Sequence, residues 1–269
     1  MTNENSSSPR PLKTLVTAHA VIEALVRLDG AGVTELASHL DRSKSTVYTY
    51  LQTLEQIGFV TKTNHQYRLS YRFLLLGEHV RHSSLLFEVG SEEVNKLADE
   101  FGQYAHLVVK EGGRGVVLHH AEGADAVTYE YQRSKLQQGT PLHMTASGKA
   151  ILATLSADQV ATIIDQHGLD QSTDQTITDS DRLFTELDTI REHGYACNDE
   201  EEIDGYRAVA APISASNADV RGAISVSGPT SVLDDEAFTT TLPPMVQQSA
   251  NTIEVSLNMM QNRSRRRTR

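Results

Sequence analysis

The order of apolar and polar positions divides the chain into two differently patterned stretches. Leu15, Ala18, Val21, Ile22, Leu25 and Val26 recur three or four apart and predict a helix that ends at Asp29 and Gly30. Leu36, Ala37 and Leu40 predict a short second helix with Thr34 as its N-cap. Val47, Leu51, Leu54 and Ile57 form a third stripe, capped by Ser43 and stopped by Gly58. The period then shortens, and Val60, Tyr67 and Leu69 take strand positions around the polar tip of residues 63–66. Three helices and a two-stranded wing predict a winged helix-turn-helix over residues 12–70. In that motif the second helix of the pair enters the DNA major groove.

Residues 71–101 hold few helix breakers and read as a helical linker with a possible dimer contact. Beyond them, residues 106–123 predict two strands around a glycine turn, and AVTYEYQR predicts another. Residues 145–169 and 180–194 predict helices, APISASNADVRGAISVSGP a hairpin, and Asp235 to Met260 a final helix. Strands with intervening helices predict an α+β class, an antiparallel sheet flanked by helices, over residues 102–260. Residues 1–11 and the basic stretch 261–269 read as disordered tails.

Composition narrows the setting. No apolar run reaches the length of a membrane span, and the polar start lacks a signal-peptide pattern, so a cytoplasmic location without a membrane partner is expected. One cysteine, Cys197, excludes an intrachain disulfide framework and reads as packing or as a redox sensor. The formal net charge is −11, yet residues 10–80 carry eight Lys/Arg against six Asp/Glu, whereas residues 81–262 carry eleven against twenty-eight. The tail RSRRRTR adds five arginines, either a nonspecific DNA contact or a solvated end. An acidic body with seventeen arginines and seven lysines resembles the surface chemistry of salt-adapted, haloarchaeal-like proteins.

The third helix carries the first candidate chemistry. Ser45 and Thr46 stand at its start, where hydroxyls and the helix terminus suit phosphate, and Lys44 supplies a point charge. Tyr48, Thr49 and Gln52 are the candidate base readers, since a glutamine amide suits adenine. Lys62, Asn64, His65 and Arg68 on the wing are candidates for the DNA backbone. A solvated helix face and a soluble hairpin are the bland alternatives.

STVYTYLQTLEQIGFV, PLHMTASGKAILA, GYACNDEEEIDGYRAVAAPI and AISVSGP stand in this order. Together they resemble the IclR-type transcriptional regulators over residues 12–258. That resemblance implies a GAF-like effector domain behind the winged helix and a small effector: an organic, aromatic or sugar acid of a catabolic pathway. It also implies palindromic promoter DNA bound by a homodimer or a dimer of dimers. It places effector contacts at Ala146, Ser147, Asn198, Tyr206, Ala208, Ser225 and Ser227. Thr49 stands where the family often has arginine, Asn198 where aspartate is common, and Ala208 where some members have cysteine. The last two departures, with the bulk of Tyr206, point away from a pocket tuned only to the smallest keto acids.

The residues themselves support part of that site. Ala146, Ser147 and Gly148 at a helix start can offer backbone N–H groups to a carboxylate. Ser225 and Ser227 alternate onto one sheet face, as ligand contacts or as small polar core residues. Arg207 can pair with an acidic effector or with the run Asp199–Glu202. SGKA lacks the GxxxxGK[ST] spacing of a phosphate loop, and His119 and His120, being adjacent in a strand, point to opposite faces. No cofactor, metal set or catalytic triad is therefore called for. The alternatives to an effector-controlled regulator are a winged-helix adaptor for proteins and a ligand-modifying enzyme.

Overall fold

Helices α1 (Lys13–Arg27), α2 (Val33–His39) and α3 (Lys44–Gln56) and the hairpin β1 (Val60–Thr63)–β2 (Gln66–Leu69) build the first of two units in the computed structural model, whose chain divides after Arg81. The structure describes residues 11–126, 139–214 and 221–267. Val21, Ala24 and Leu25 of α1, Leu36 and Ala37 of α2, and Val47, Leu51 and Leu54 of α3 close one core with Val60 and Tyr67 of the wing. A fully buried leucine is worth about 1.5–3 kcal/mol, so packing holds α3 although threonine, tyrosine and valine are indifferent helix formers.

Three expectations for this unit change. Thr34 lies inside α2, whose N-cap is Gly32 without a side-chain cap. The cause is a backbone bridge: Ala31 N–H donates to Tyr67 O at 3.0 Å and Tyr67 N–H to Ala31 O at 2.9 Å, holding the chain extended until the helix begins. Ile57 is the C-cap of α3, where the chain leaves the helical screw, and it is exposed. Leu15 is exposed too, because the apolar face of α1 runs on past the core available to it. The wing turns at Asn64 (φ 50°) and His65 (φ 65°). Two successive left-handed residues suit the twist of a tight hairpin.

Helix α4 (Arg72–His82) buries no side chain. Its first residue is tied to the winged unit: Arg72 Nη1 donates to Ile57 O at 2.9 Å, and the guanidinium lies 5.4 Å over the Phe59 ring. Helix α5 (Leu85–Phe101), read from sequence as linker, instead buries Leu86, Gly90, Val94, Leu97 and Ala98 in the core of the second unit.

Among the described residues that unit centres on a six-stranded sheet of order β5–β4–β3–β8–β7–β6, antiparallel throughout. The strands are β3 (Tyr104–Glu111), β4 (Arg114–Glu122), β5 (Thr140–Pro141), β6 (Ala196–Asp199), β7 (Tyr206–Ser214) and β8 (Arg221–Pro229). Both faces of β8 are covered, so its alternation sorts residues between two cores rather than between core and water. Ile224 and Val226 join Leu107, Val209, α5 and α9 (Leu242–Arg267) in one core. Ala223 joins Val108, Ala210, Ala196, α6 (Ala146–Ala153), α7 (Ala157–His167) and α8 (Ser180–His193) in the other.

A π-helical turn at Ala237–Thr241 precedes α9, which buries Leu242, Val246, Ala250, Ile253 and Leu257 three or four apart. The helix continues through Arg267, so residues 261–267 are helical where a disordered tail was expected. No glycine or proline interrupts residues 245–267, and methionine, glutamine and arginine are good helix formers. Most of the expected strand AVTYEYQR, from Val127 onward, lies outside the described residues, as do the hairpin turn 215–220 and both chain ends.

Candidate DNA-reading face and effector site

Ser43 sets the start of the reading helix: its Oγ accepts from Thr46 N–H at 3.1 Å and lies 2.8 Å from Thr46 Oγ1 and 3.0 Å from Ser45 Oγ. This hydroxyl cluster sits at the positive end of α3, where it suits a phosphate oxygen. Lys44, Ser45, Thr46, Tyr48, Thr49 and Gln52 are all exposed, and so are Lys62, Asn64 and Arg68 on the wing. The unit thus presents all nine candidates to solvent. Thr49 Oγ1 donates to Ser45 O at 3.0 Å, which leaves it an acceptor rather than a donor toward a base. Lys62 Nζ stands 5.2 Å over the ring of Tyr67, and hydrogen bonding to that phenol holds its ammonium above the ordinary value.

In the second unit strand pairing brings the effector candidates onto one sheet face. Across neighbouring strands Tyr104 pairs with Ser227, Ser227 with Ala208, and Ala208 with Asn198. Two residues along, His106 pairs with Ser225 and Ser225 with Ala210. Directly opposed residues share a face, so one buried row carries hydroxyl, imidazole and phenol groups. Tyr206, half-buried at the end of β7, shares that face by register. The N-terminus of α6 lies over it: Thr145 caps the helix through Gly148 N–H at 2.9 Å, and Ser147 Oγ donates to Ser225 Oγ at 2.9 Å. Ala146, Ser147, Asn198, Ala208, Ser225 and Ser227 are all buried.

Two of these residues have distinct roles. Ser227 Oγ is buried without a hydrogen-bond partner among the described residues. Asn198 is engaged at both ends of its amide: Nδ2 donates to Met144 O at 3.1 Å, and Oδ1 accepts from Glu201 N–H at 2.8 Å. It braces the approach to α6 instead of presenting a free amide. Arg207 takes the bland reading: its guanidinium donates to Asp199 Oδ1 at 2.6 Å and Asp235 Oδ1 at 2.9 Å, and lies 4.8 Å over Phe238. His119 and His120 do part: Leu107 faces His119, whose Nε2 lies 2.8 Å from Asn95 Oδ1, while His106 faces His120.

Sequence reasoning missed Tyr104 and His106, whose rings stack with centroids 6.3 Å apart on the same face as the serines. The signal was present as polar groups at even positions of an apolar strand, but only the register with β8 gives it meaning. It also missed a buried ion triad behind α6. Lys149 Nζ, 1% exposed, donates to Glu201 Oε1 at 2.5 Å and Glu186 Oε1 at 3.0 Å. Burial raises the Glu201 carboxyl above its ordinary value of 4.5, and Lys149 opposes the rise. Burial likewise pushes the Cys197 thiol up to about 11, which keeps it protonated.

An exposed reading helix beside a hairpin wing, with a buried polar row under a helix N-terminus, defines the class: a DNA-binding regulator with a sensing unit. Residues 14–63 match the IclR helix-turn-helix domain, and residues 79–255 match the bacterial transcriptional regulator IclR C-terminal domain. The chain belongs to the IclR family and is a sequence-specific DNA-binding transcriptional regulator. It is 37% identical over 254 residues to the probable HTH-type transcriptional regulator ArcR of Halobacterium salinarum, covering 94% of this chain and 97% of that protein. To KdgR of Escherichia coli it is 28% identical, over 85% and 86% of the two chains. The crystal structure of Thermotoga maritima IclR superposes with a TM-score of 0.73 at 27% identity, over 91% of this chain and 99% of that one. These relatives are regulators, not enzymes. Among the described residues no helix is long and apolar enough to cross a membrane, and no group of three His, Cys, Asp or Glu is placed to hold a metal ion.

Proposed function

We propose that the chain reads a palindromic promoter site through Lys44, Ser45, Thr46, Tyr48, Thr49 and Gln52, with Lys62, Asn64 and Arg68 on flanking phosphates, and releases or grips it in response to a small organic acid. The observation that carries the effector half is the buried Ser227 hydroxyl, without a partner among the described residues, in a row that also holds Ser225, His106 and Tyr104. A buried polar atom left unpaired costs about 1–3 kcal/mol, which a ligand acceptor or donor offsets. Both nearby cations are committed, Lys149 to its two glutamates and Arg207 to two aspartates. A carboxylate therefore falls to the first N–H groups of α6 at Ala146 and Ser147, while the Tyr104–His106 stack suits a ring or sugar body. Asn198 and Ala208 shape the seat and Tyr206 closes its end.

This is a GAF-like sensing role, and residues 71–101 transmit it by changing the half-site spacing that two winged helices meet. Exposed Leu12, Leu15 and Val16 on and beside α1, and Leu74, Leu75 and Val80 on α4, supply apolar surface for a homodimer or a dimer of dimers. The acidic body fits work in concentrated salt, where hydroxyl and amide contacts lose less than charged ones. The test is selection from a randomised duplex library by the full chain in dilute and in molar potassium chloride. Aromatic, sugar and keto acids are then added to the selected complex. A palindromic consensus bound over a scrambled duplex and shifted by one acid class is expected. Equal retention of both duplexes at both salt levels by folded protein overturns the reading in favour of a protein adaptor.

A further inference from the structure

Glu55 is the one acidic residue between Lys44 and Leu69, the stretch that holds the reading helix and the wing. A carboxylate there repels the phosphate backbone, so it weakens binding unless it does something else. Its contacts say what. Gln52 Nε2 donates to Glu55 Oε2 at 3.2 Å and to the Tyr67 hydroxyl at 3.5 Å, and Lys62 stands over the Tyr67 ring. One chain of contacts thus runs from the acid on α3 through Gln52 to the wing.

We propose that Glu55 is a positioning residue that sets which bases Gln52 accepts, an inference that rests on Gln52 being a base reader. A carboxylate only accepts, so it fixes which end of the amide faces inward. With both amide hydrogens directed into the protein, the carbonyl Oε1 is the group left for the major groove. An adenine read bidentately needs both ends of the amide, the carbonyl for its N6 amine and the NH2 for N7. A lone carbonyl accepts equally from the N6 amine of adenine and the N4 amine of cytosine. The wild-type protein therefore tolerates adenine or cytosine at the Gln52 position and rejects guanine and thymine.

Two substitutions separate positioning from charge. Glu55→Gln removes the charge but keeps an acceptor for Gln52, whereas Glu55→Ala removes both. The experiment selects bound duplexes from a randomised library with each full-length variant, and then measures affinity for the selected site, its single-base variants and a scrambled duplex. Glu55→Gln is expected to tighten all duplexes by a common factor with the adenine and cytosine preference unchanged. Glu55→Ala is expected to narrow that position to adenine, by roughly 5- to 150-fold over cytosine, the discrimination of a bidentate pair. Identical base profiles for both variants and wild type overturn the proposal and leave Glu55 a plain like-charge. Gln52→Ala reports separately on the premise: if it selects the same site with the same preference over scrambled DNA, Gln52 reads no base, whatever Glu55 does.

Discussion

Replacing Lys149 by methionine tests whether the ion triad behind α6 holds the sensing unit together. Methionine keeps an unbranched side chain and a good helix former, and removes the ammonium alone. Glu186 is 30% exposed, so water takes over much of its loss, and its share is about 1 kcal/mol or less. Glu201 is 9% exposed at its side chain, and its Oε2 has no partner among the described residues, so its charge is left buried and unpaired. Breaking such a pair from one side costs about 3–5 kcal/mol. In a unit of this size that lowers the melting transition by roughly 6–20 °C.

The assay is calorimetry of the full chain, resolving the sensing-unit transition from that of the winged unit. Molar potassium chloride should leave the loss in place, because buried pairs are weakly screened. The pH dependence has a definite sign. Burial holds the Glu201 carboxyl above its ordinary 4.5 in the folded state, so its contribution is fully present below the unfolded value and is lost as pH rises through the folded one. Without Lys149 the folded value climbs further, so the deficit of Lys149→Met is largest above that window and narrows as pH falls through it. Adding Glu201→Gln should recover most of the loss, since removing both partners of a buried pair is far milder than removing one. A shift of only a degree or two in Lys149→Met, or no recovery on adding Glu201→Gln, would refute the assignment.

Ser227→Ala removes a buried hydroxyl that makes no bond among the described residues, so it should raise the stability of the ligand-free protein by about 1–3 kcal/mol. It should raise the effector concentration needed to shift DNA binding by roughly 3- to 10-fold, the worth of one hydrogen bond, and an unchanged titration midpoint would remove Ser227 from the site. Gly148→Ala puts a Cβ 2.2 Å from Leu142 O and 2.5 Å from Leu142 Cα, backbone that cannot give way cheaply. A loss of about 1–3 kcal/mol with a blunted effector response is expected, and wild-type melting would show that α6 has room to move. Cys197, at about 11, is roughly one part in a thousand thiolate at pH 8, so iodoacetamide should label it slowly until urea unfolds the chain. Fast labelling of the folded protein would contradict its burial.

The winged unit was legible because each signal was local. Ser43 caps α3 as its hydroxyl predicts, and the spacing of Val47, Leu51 and Leu54 is the buried stripe. What failed there depended on a partner far along the chain: Thr34 lost the cap because Tyr67 pins Ala31. The sensing unit was less legible for the same reason on a larger scale. Its polar row is assembled from β3, β8, β7 and β6, whose pairing order is not their sequence order. The family pattern put Asn198 among the effector contacts, and only tertiary structure shows that its amide is also held by Met144 and Glu201. Lys149 stood inside a motif weighed as a phosphate loop and as a helix start for a carboxylate, with no role given to its own side chain. Its partners lie 37 and 52 residues away, beyond any local pattern.

The polar groups that went unread in the sensing unit gather mainly in the layer around α6. Natural cores satisfy nearly all buried polar groups, yet here Gln103 Oε1, Ser227 Oγ and Glu201 Oε2 are unpartnered among the described residues. The last two belong to groups joined to one short helix, whose Ser147 bonds to the sheet row and whose Lys149 bonds to the triad. A sequence selected for stability alone would fill this layer with aliphatic groups, as it does on the opposite sheet face with Leu107, Ile224 and Val226. Two such conflicts beside α6, in the layer that also holds a buried ion triad, are what a place kept for binding would look like. A ligand that pairs the Ser227 side adds its binding free energy to the folded state, so the sensing-unit melting temperature should rise with the logarithm of effector concentration. Screening small acids by that rise needs no knowledge of the operator. A compound whose shift needs roughly 3- to 10-fold more ligand in Ser227→Ala than in wild type identifies the effector class and the seat together.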